Sequence, residues 1–224
     1  MKSIRSLAAA AAAVLGMAGA CWSQGMMRPP NIPGEFKPVV GSGATYQLTD
    51  KKGTAHEWTW AVVGKETVDG QDAYWLEMRP TTPQGGVVMK ELLAMQGGTP
   101  DIKRMIMQTP GRPPMEMPTE MMHMGMMQHG QQAGGSPHGM GEVVGSETVT
   151  VPAGTFDTQH YRSTTNGNTA DVWASTKVSP YGLIKMTSSD GTTMVLQKVL
   201  DHETSQITQE PQKMNFPIPG RPQQ

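Results

Sequence analysis

Apolar and polar residues alternate along most of this chain, and turn-forming residues break the alternation at short intervals. Thr54–Glu66 (TAHEWTWAVVGKE) puts His56, Trp58, Trp60 and Val62 on one side of an extended backbone. Asp72–Pro80 sets Tyr74, Leu76 and Met78 against Trp75, Glu77 and Arg79. Extended segments are also read over Ala44–Asp50, Gly85–Met95, Asp101–Gln108, Glu142–Val151, Thr155–Thr164, Thr169–Thr176, Tyr181–Ser188 and Thr192–Leu200. The pair Leu92-Leu93 equally suits the start of a short helix. Between the segments stand KKG, VDGQ, VPAG, TNGN, VSPYG and SDG, the chemistry of tight turns. With 26 Gly and 18 Pro in 224 residues, many short strands are favoured over long helices. The expected fold is all-β and antiparallel. Several strands are apolar on both faces, so one face is expected to pack a core and the other to line a concavity. The alternative is a two-sheet β-sandwich without a cavity.

Both ends differ from this middle. MKSIR supplies two positive charges, Ser6–Met17 is an apolar run too short to span a bilayer, and Ala18-Gly19-Ala20 offers small residues for cleavage. Residues 1–20 therefore read as a secretory signal peptide, and the protein as exported, periplasmic or anchored to the envelope membrane. The one cysteine, Cys21, follows directly, so no internal disulfide is expected. Its place suits the lipidated cysteine of bacterial lipoproteins, although Ala18 stands where a Leu is usual. The alternative is a cysteine lost with the leader. Contact with a membrane surface is expected only if Cys21 is lipidated. Residues 21–43 read as a Pro/Gly-rich tether, 44–203 as a single β domain and 204–224 as a disordered tail.

A Met/His-rich insert at 109–141 interrupts the strand series. Thioethers are soft, neutral ligands that suit Cu(I) and bind hard cations poorly. The candidate metal ligands are Met115, Met117, Met121, Met122, His123, Met124, Met126, Met127, His129, His138 and Met140. Alternate residues on an extended segment project to one side, which lets two sulfurs of a Met-x-Met pair reach one ion. The same residues suit an apolar flap, because Met also fills adaptable surfaces. Thr119 is placed to cap a short helix over Glu120–Gln128 as such a lid. Met is frequent elsewhere too, with 20 in the chain, which weakens the insert as a metal signal.

The chain has a formal charge of −1 and lacks a basic block, which argues against nucleic acid as a partner. No G-x-S-x-G, H-E-x-x-H, phosphate-loop or C-x-x-C motif is present. A non-enzyme is expected.

The stretch VTVPAGTFDTQHYRST, followed by TADVWASTKVSPYGLIKMTSSDGTTMVL, carries a resemblance. Its PAGTF turn, W-x-S strand and P-Y-G-L turn resemble secreted bacterial domains akin to the LolA/LolB-like lipoprotein-sorting group. The likeness runs from Val149 to Leu196, about a fifth of the chain. It implies a curved antiparallel sheet or half-barrel that cups an acyl chain. The expected role is a non-enzymatic envelope binding protein for an apolar small molecule, a lipid or an envelope protein. Copper buffering by the insert and a purely structural envelope role are the alternatives.

Overall fold

The computed structural model describes residues 36–81, 85–96, 99–118, 141–165 and 167–213. All of them belong to the compact unit Asn31–Gln224. Among the described residues twelve strands are formed: β1 (Gly43–Thr49), β2 (Ala55–Val68), β3 (Gln71–Thr81), β4 (Val88–Gln96), β5 (Thr99–Gln108), β6 (Met115–Met117), β7 (Glu142–Val151), β8 (Gly154–Thr165), β9 (Asn168–Ala174), β10 (Leu183–Ser188), β11 (Thr193–Leu200) and β12 (Gln212–Lys213). No helix occurs among the described residues, and Leu92-Leu93 lies within β4. The proposed cap and helix at 119–128 fall outside the described residues.

The strands form one ladder in the order β12-β6-β5-β4-β3-β2-β1-β11-β10-β9-β8-β7. All neighbours are antiparallel except β12 and β6. The two-sheet arrangement is therefore not adopted. The β1–β11 pair joins the N- and C-terminal halves, with Tyr46 opposite Leu196 and Leu48 opposite Met194. Neither closure into a barrel nor strong curvature of the sheet is shown. The edges of the ladder are β7, with ten residues, and β12, with two.

The front face carries the main core. Tyr46, Trp60, Leu76, Met78, Met186, Met194 and Leu196 are buried on it, and Phe36, Val178 and Val151 join the same cluster. The segment around Lys37 is held to the Pro180 turn by the Lys37 N–H donating to Pro180 O at 2.8 Å. This brings the Phe36 ring 5.1 Å from that of Tyr181, and Tyr181 meets Trp60 edge-on at 5.9 Å. At Gly182, φ is +71° and a Cβ would lie 2.7 Å from Ser175 O, so only glycine suits this turn.

A second cluster lies on the back of β2–β5. It contains Ala73, Trp75, Leu92, Ala94, Ile106 and Ile207. Ile207 comes from residues 201–213, which run from the end of β11 to β12 beside β6. The Glu203 N–H donates to Gly41 O at 2.8 Å, and the Gln212 N–H to Pro114 O at 2.9 Å. In between, Ser205 Oγ donates to Glu77 Oε2 at 2.5 Å and the Gln206 N–H to Glu77 Oε1 at 3.0 Å. The first ten residues of the expected tail thus form a strap over the back face. The rest of that tail lies outside the described residues, as do the leader, Cys21 and most of the tether.

Candidate functional site: a methionine-lined sheet face

Directly opposed residues in a β-ladder share a face, so the register can be read as rows across the front. One row runs Trp60, Met78, Met89, Met107, Met115 from β2 to β6. The next runs Val62, Leu76, Glu91, Met105, Met117. Six methionines and one carboxylate therefore stand together on β3–β6. Met78 is buried, whereas Met89, Met105, Met107, Met115 and Met117 are half-buried.

A bulge at Leu92/Leu93 adjusts the alternation. It leaves Lys103 unpaired and sets Ile102 opposite Leu93, so that Ile102 and Met105 both serve the front although three residues apart. Charged neighbours go to the back. Arg104 makes a forked bond to Glu116, Nε to Oε1 at 2.7 Å and Nη2 to Oε2 at 3.2 Å, which ties β5 to β6. Arg104 and Lys90 also approach the Trp75 ring, at 5.2 and 4.8 Å from its centre. Burial lowers the Lys90 pKa, and the facing Glu77 opposes that shift.

Glu91 is the exception on the front. Burial pushes its pKa up to about 7. The Tyr181 hydroxyl is pushed up too, first by burial and then by the Glu91 charge. Glu91 faces forward, away from Lys90, while Glu77 and Arg79 bind the strap.

Of the candidate metal ligands, Met115 and Met117 are in β6. They pair with Met107 and Met105 and do not belong to a free loop. Met121, Met122, His123, Met124, Met126, Met127, His129, His138 and Met140 lie outside the described residues. Met78, Met89, Met105, Met107 and Glu91 were passed over as candidates. The repeat of Met-x-Met at 105–107 and 115–117, one turn apart, is a signal for Met105 and Met107, whereas Met78, Met89 and Glu91 carry none.

The back of β7–β10 holds a polar cluster. His160 stacks on Trp173 with ring centres 4.5 Å apart, and Lys185 lies 5.0 Å from the same ring centre. The His160 Nε2 is 2.7 Å from Asp171 Oδ1, and Arg162 Nε donates to the same oxygen at 2.9 Å. Burial works against the Asp171 carboxylate, but Arg162 and His160 outweigh it and lower its pKa. Trp173 Nε1 donates to Glu147 Oε1 at 2.5 Å. These groups satisfy one another and leave no charge in search of a partner. No group of three His, Cys, Asp or Glu suited to a metal occurs among the described residues. His202 is exposed beside the strap, and His56 stands on the front beyond the aromatic core.

No family model matches the chain, and no curated protein matches it. Among solved structures, it is similar to a candidate exported protein with a YmcC-like fold from Bacteroides fragilis. That match has 12% identity, covers 74% of this chain and 99% of the other, and has a TM-score of 0.40. A candidate lipoprotein from Parabacteroides distasonis gives 14% identity, 74% and 98% coverage, and a TM-score of 0.38. PNGF-II gives 8% identity and a TM-score of 0.36, with 77% of this chain matched to 31% of that one. The likeness to exported bacterial proteins is distant and partial, is not specific to the LolA/LolB-like group, and assigns neither fold family nor activity.

Proposed function

We propose that the protein is an exported, non-catalytic binding protein of the cell envelope, and that its front face at β3–β6 holds an apolar ligand: an acyl chain or an apolar protein segment. The observation that carries this reading is the row of half-buried methionines at Met89, Met107 and Met115, flanked by Met105 and Met117. Flexible thioether side chains adapt to ligands of varied shape. Each CH₂ taken from water contributes about 0.8 kcal/mol, so a long chain binds usefully without any ion pair. The signal-like residues 1–20 support export, and Cys21 supports attachment to a membrane surface.

The test is titration of delipidated protein with a fluorescent fatty acid. Saturable uptake is expected, at least tenfold weaker in a Met107→Lys, Met115→Lys variant that still folds. Absence of saturable uptake by the wild type would sink the reading.

A second reading, copper(I) buffering by the insert, is favoured by Met115 and Met117, which share a face at the point where the chain enters that insert. Changing Met121, Met122, Met124, Met126 and Met127 to Leu keeps the apolar bulk and removes sulfur. Equal copper uptake by the variant and the wild type would end this second reading.

A further inference from the structure

We infer that Met105, Met107, Met115 and Met117 form a soft-metal site on the sheet itself, for a monovalent ion of the copper(I) or silver(I) class. The inference does not depend on acyl binding and shares with the copper reading the class of metal and the residues Met115 and Met117.

Met105 opposes Met117 and Met107 opposes Met115, so four thioethers mark the corners of one patch on two paired strands. Opposed Cβ atoms in such a pair lie about 4.5–5.5 Å apart. Residues two apart along a strand are separated by roughly 6.8 Å. Each methionine has three rotatable side-chain bonds, so four sulfurs can turn inward over a patch of this size. Met89, opposite Met107, is placed to add a fifth sulfur, and Glu91, opposite Met105, supplies a carboxylate beside the patch.

Two further features fit a cation. The Arg104–Glu116 fork fixes the β5–β6 register from the back, so the four corners do not depend on residues 119–140 for their position. It also holds the Arg104 charge on the side away from the sulfurs. A thioether is a soft, uncharged donor and selects soft monovalent ions over zinc, magnesium or calcium. The rival reading is that these methionines are only packing material, and leucine separates the two because it packs without donating.

The probe is silver(I), which needs no reductant, titrated calorimetrically into the full chain. Two variants are compared with the wild type. One carries Met105→Leu, Met107→Leu, Met115→Leu and Met117→Leu; the other carries the five insert substitutions given above. The sheet variant is expected to bind its tightest silver at least tenfold more weakly, and the insert variant to keep that affinity. Retained affinity in the sheet variant overturns the site. Should the sheet variant fail to fold, methyl NMR of ¹³C-methionine wild type decides. Shifts at the four sheet methyls on adding silver support the site, and unmoved methyls overturn it. Fatty-acid uptake by both proteins is measured alongside. Its absence from both would remove the apolar-ligand reading and leave the silver result standing.

Discussion

Glu91 shows how much one residue's placement decides. A carboxyl among apolar side chains prefers its neutral form, and burial lifts its pKa from an ordinary carboxyl value to about 7. Since the folded value is raised, the unfolded chain releases this proton first as pH increases. Stability is therefore lost as pH rises from the ordinary carboxyl range through about 7, and the loss then levels off. A tenfold change in proton affinity corresponds to ~1.4 kcal/mol, which makes the full penalty about 3 kcal/mol above neutrality. Glu91→Gln is expected to raise the melting temperature at pH 8 and to change it little at pH 4.5. Thermal denaturation at the two pH values checks this, and an equal effect at both would refute the assignment. Glu91 stands on the methionine face, opposite Leu76 and Met105. The sequence EMRP…MKELLAM shows acids close to bases, but which acid faces which base depends on strand pairing.

Among the elements, the strap is the least expected. Its composition, TSQITQEPQK, offers one large aliphatic residue and reads as tail. Yet Ile207 is buried against Ala73, Trp75, Leu92, Ala94 and Ile106. Fully buried Glu77 depends on Ser205 and Gln206 for its hydrogen bonds. Arg79 pairs with Glu203, and its Nε lies 3.5 Å from Glu77 Oε1, a charge contact without hydrogen-bond geometry. Breaking a buried ion pair from one side costs about 3–5 kcal/mol. Glu77→Ala is expected to destabilise by that order in urea denaturation. Ser205→Ala, which removes one hydrogen bond to a charged group, is expected to cost about 1–3 kcal/mol. A Glu77→Ala midpoint equal to that of the wild type would mean that the strap does not hold in solution. The short β6 is the other unexpected element. Three residues give too little alternation to identify a strand, and β6 exists because β5 offers it an open edge and Arg104 grips Glu116.

For the whole molecule, the decisive fact is strand order. Nine strands separate β6 from β7 in the ladder, although they are successive along the chain. The 24 residues between Met117 and Glu142 therefore join opposite sides of the sheet and do not cap a hairpin. Ten strand spacings of about 4.8 Å make roughly 48 Å along a sheet, whereas 24 extended residues reach about 80 Å. The connection is long enough, with room to spare. Replacing residues 119–140 by two glycines would leave a segment too short for that path. The native fold is expected to be lost, giving unfolded or strand-exchanged species by circular dichroism and gel filtration. A shuffled segment of the original length is expected to preserve it. A folded protein from the shortened chain would contradict a span of that length between β6 and β7.

The sequence by itself determined that this is a sheet protein. Ten of the twelve strands follow from the two-residue period and from glycine, proline, asparagine and aspartate turns, because both signals are local and a strand's faces are fixed by its own backbone. Even the division of β3 into Tyr74, Leu76, Met78 on one side and Trp75, Glu77, Arg79 on the other could be read directly. Only the tertiary structure decided that all strands join one open ladder, that 201–213 cross its back and that Glu91 is buried. It alone gathers methionines from 78 to 117 into two neighbouring rows. Those outcomes rest on pairing register and on bulges such as that at Leu92/Leu93, where one extra residue changes which side chains share a face. No single strand carries that information, because register is a property of two strands and strand order a property of all of them.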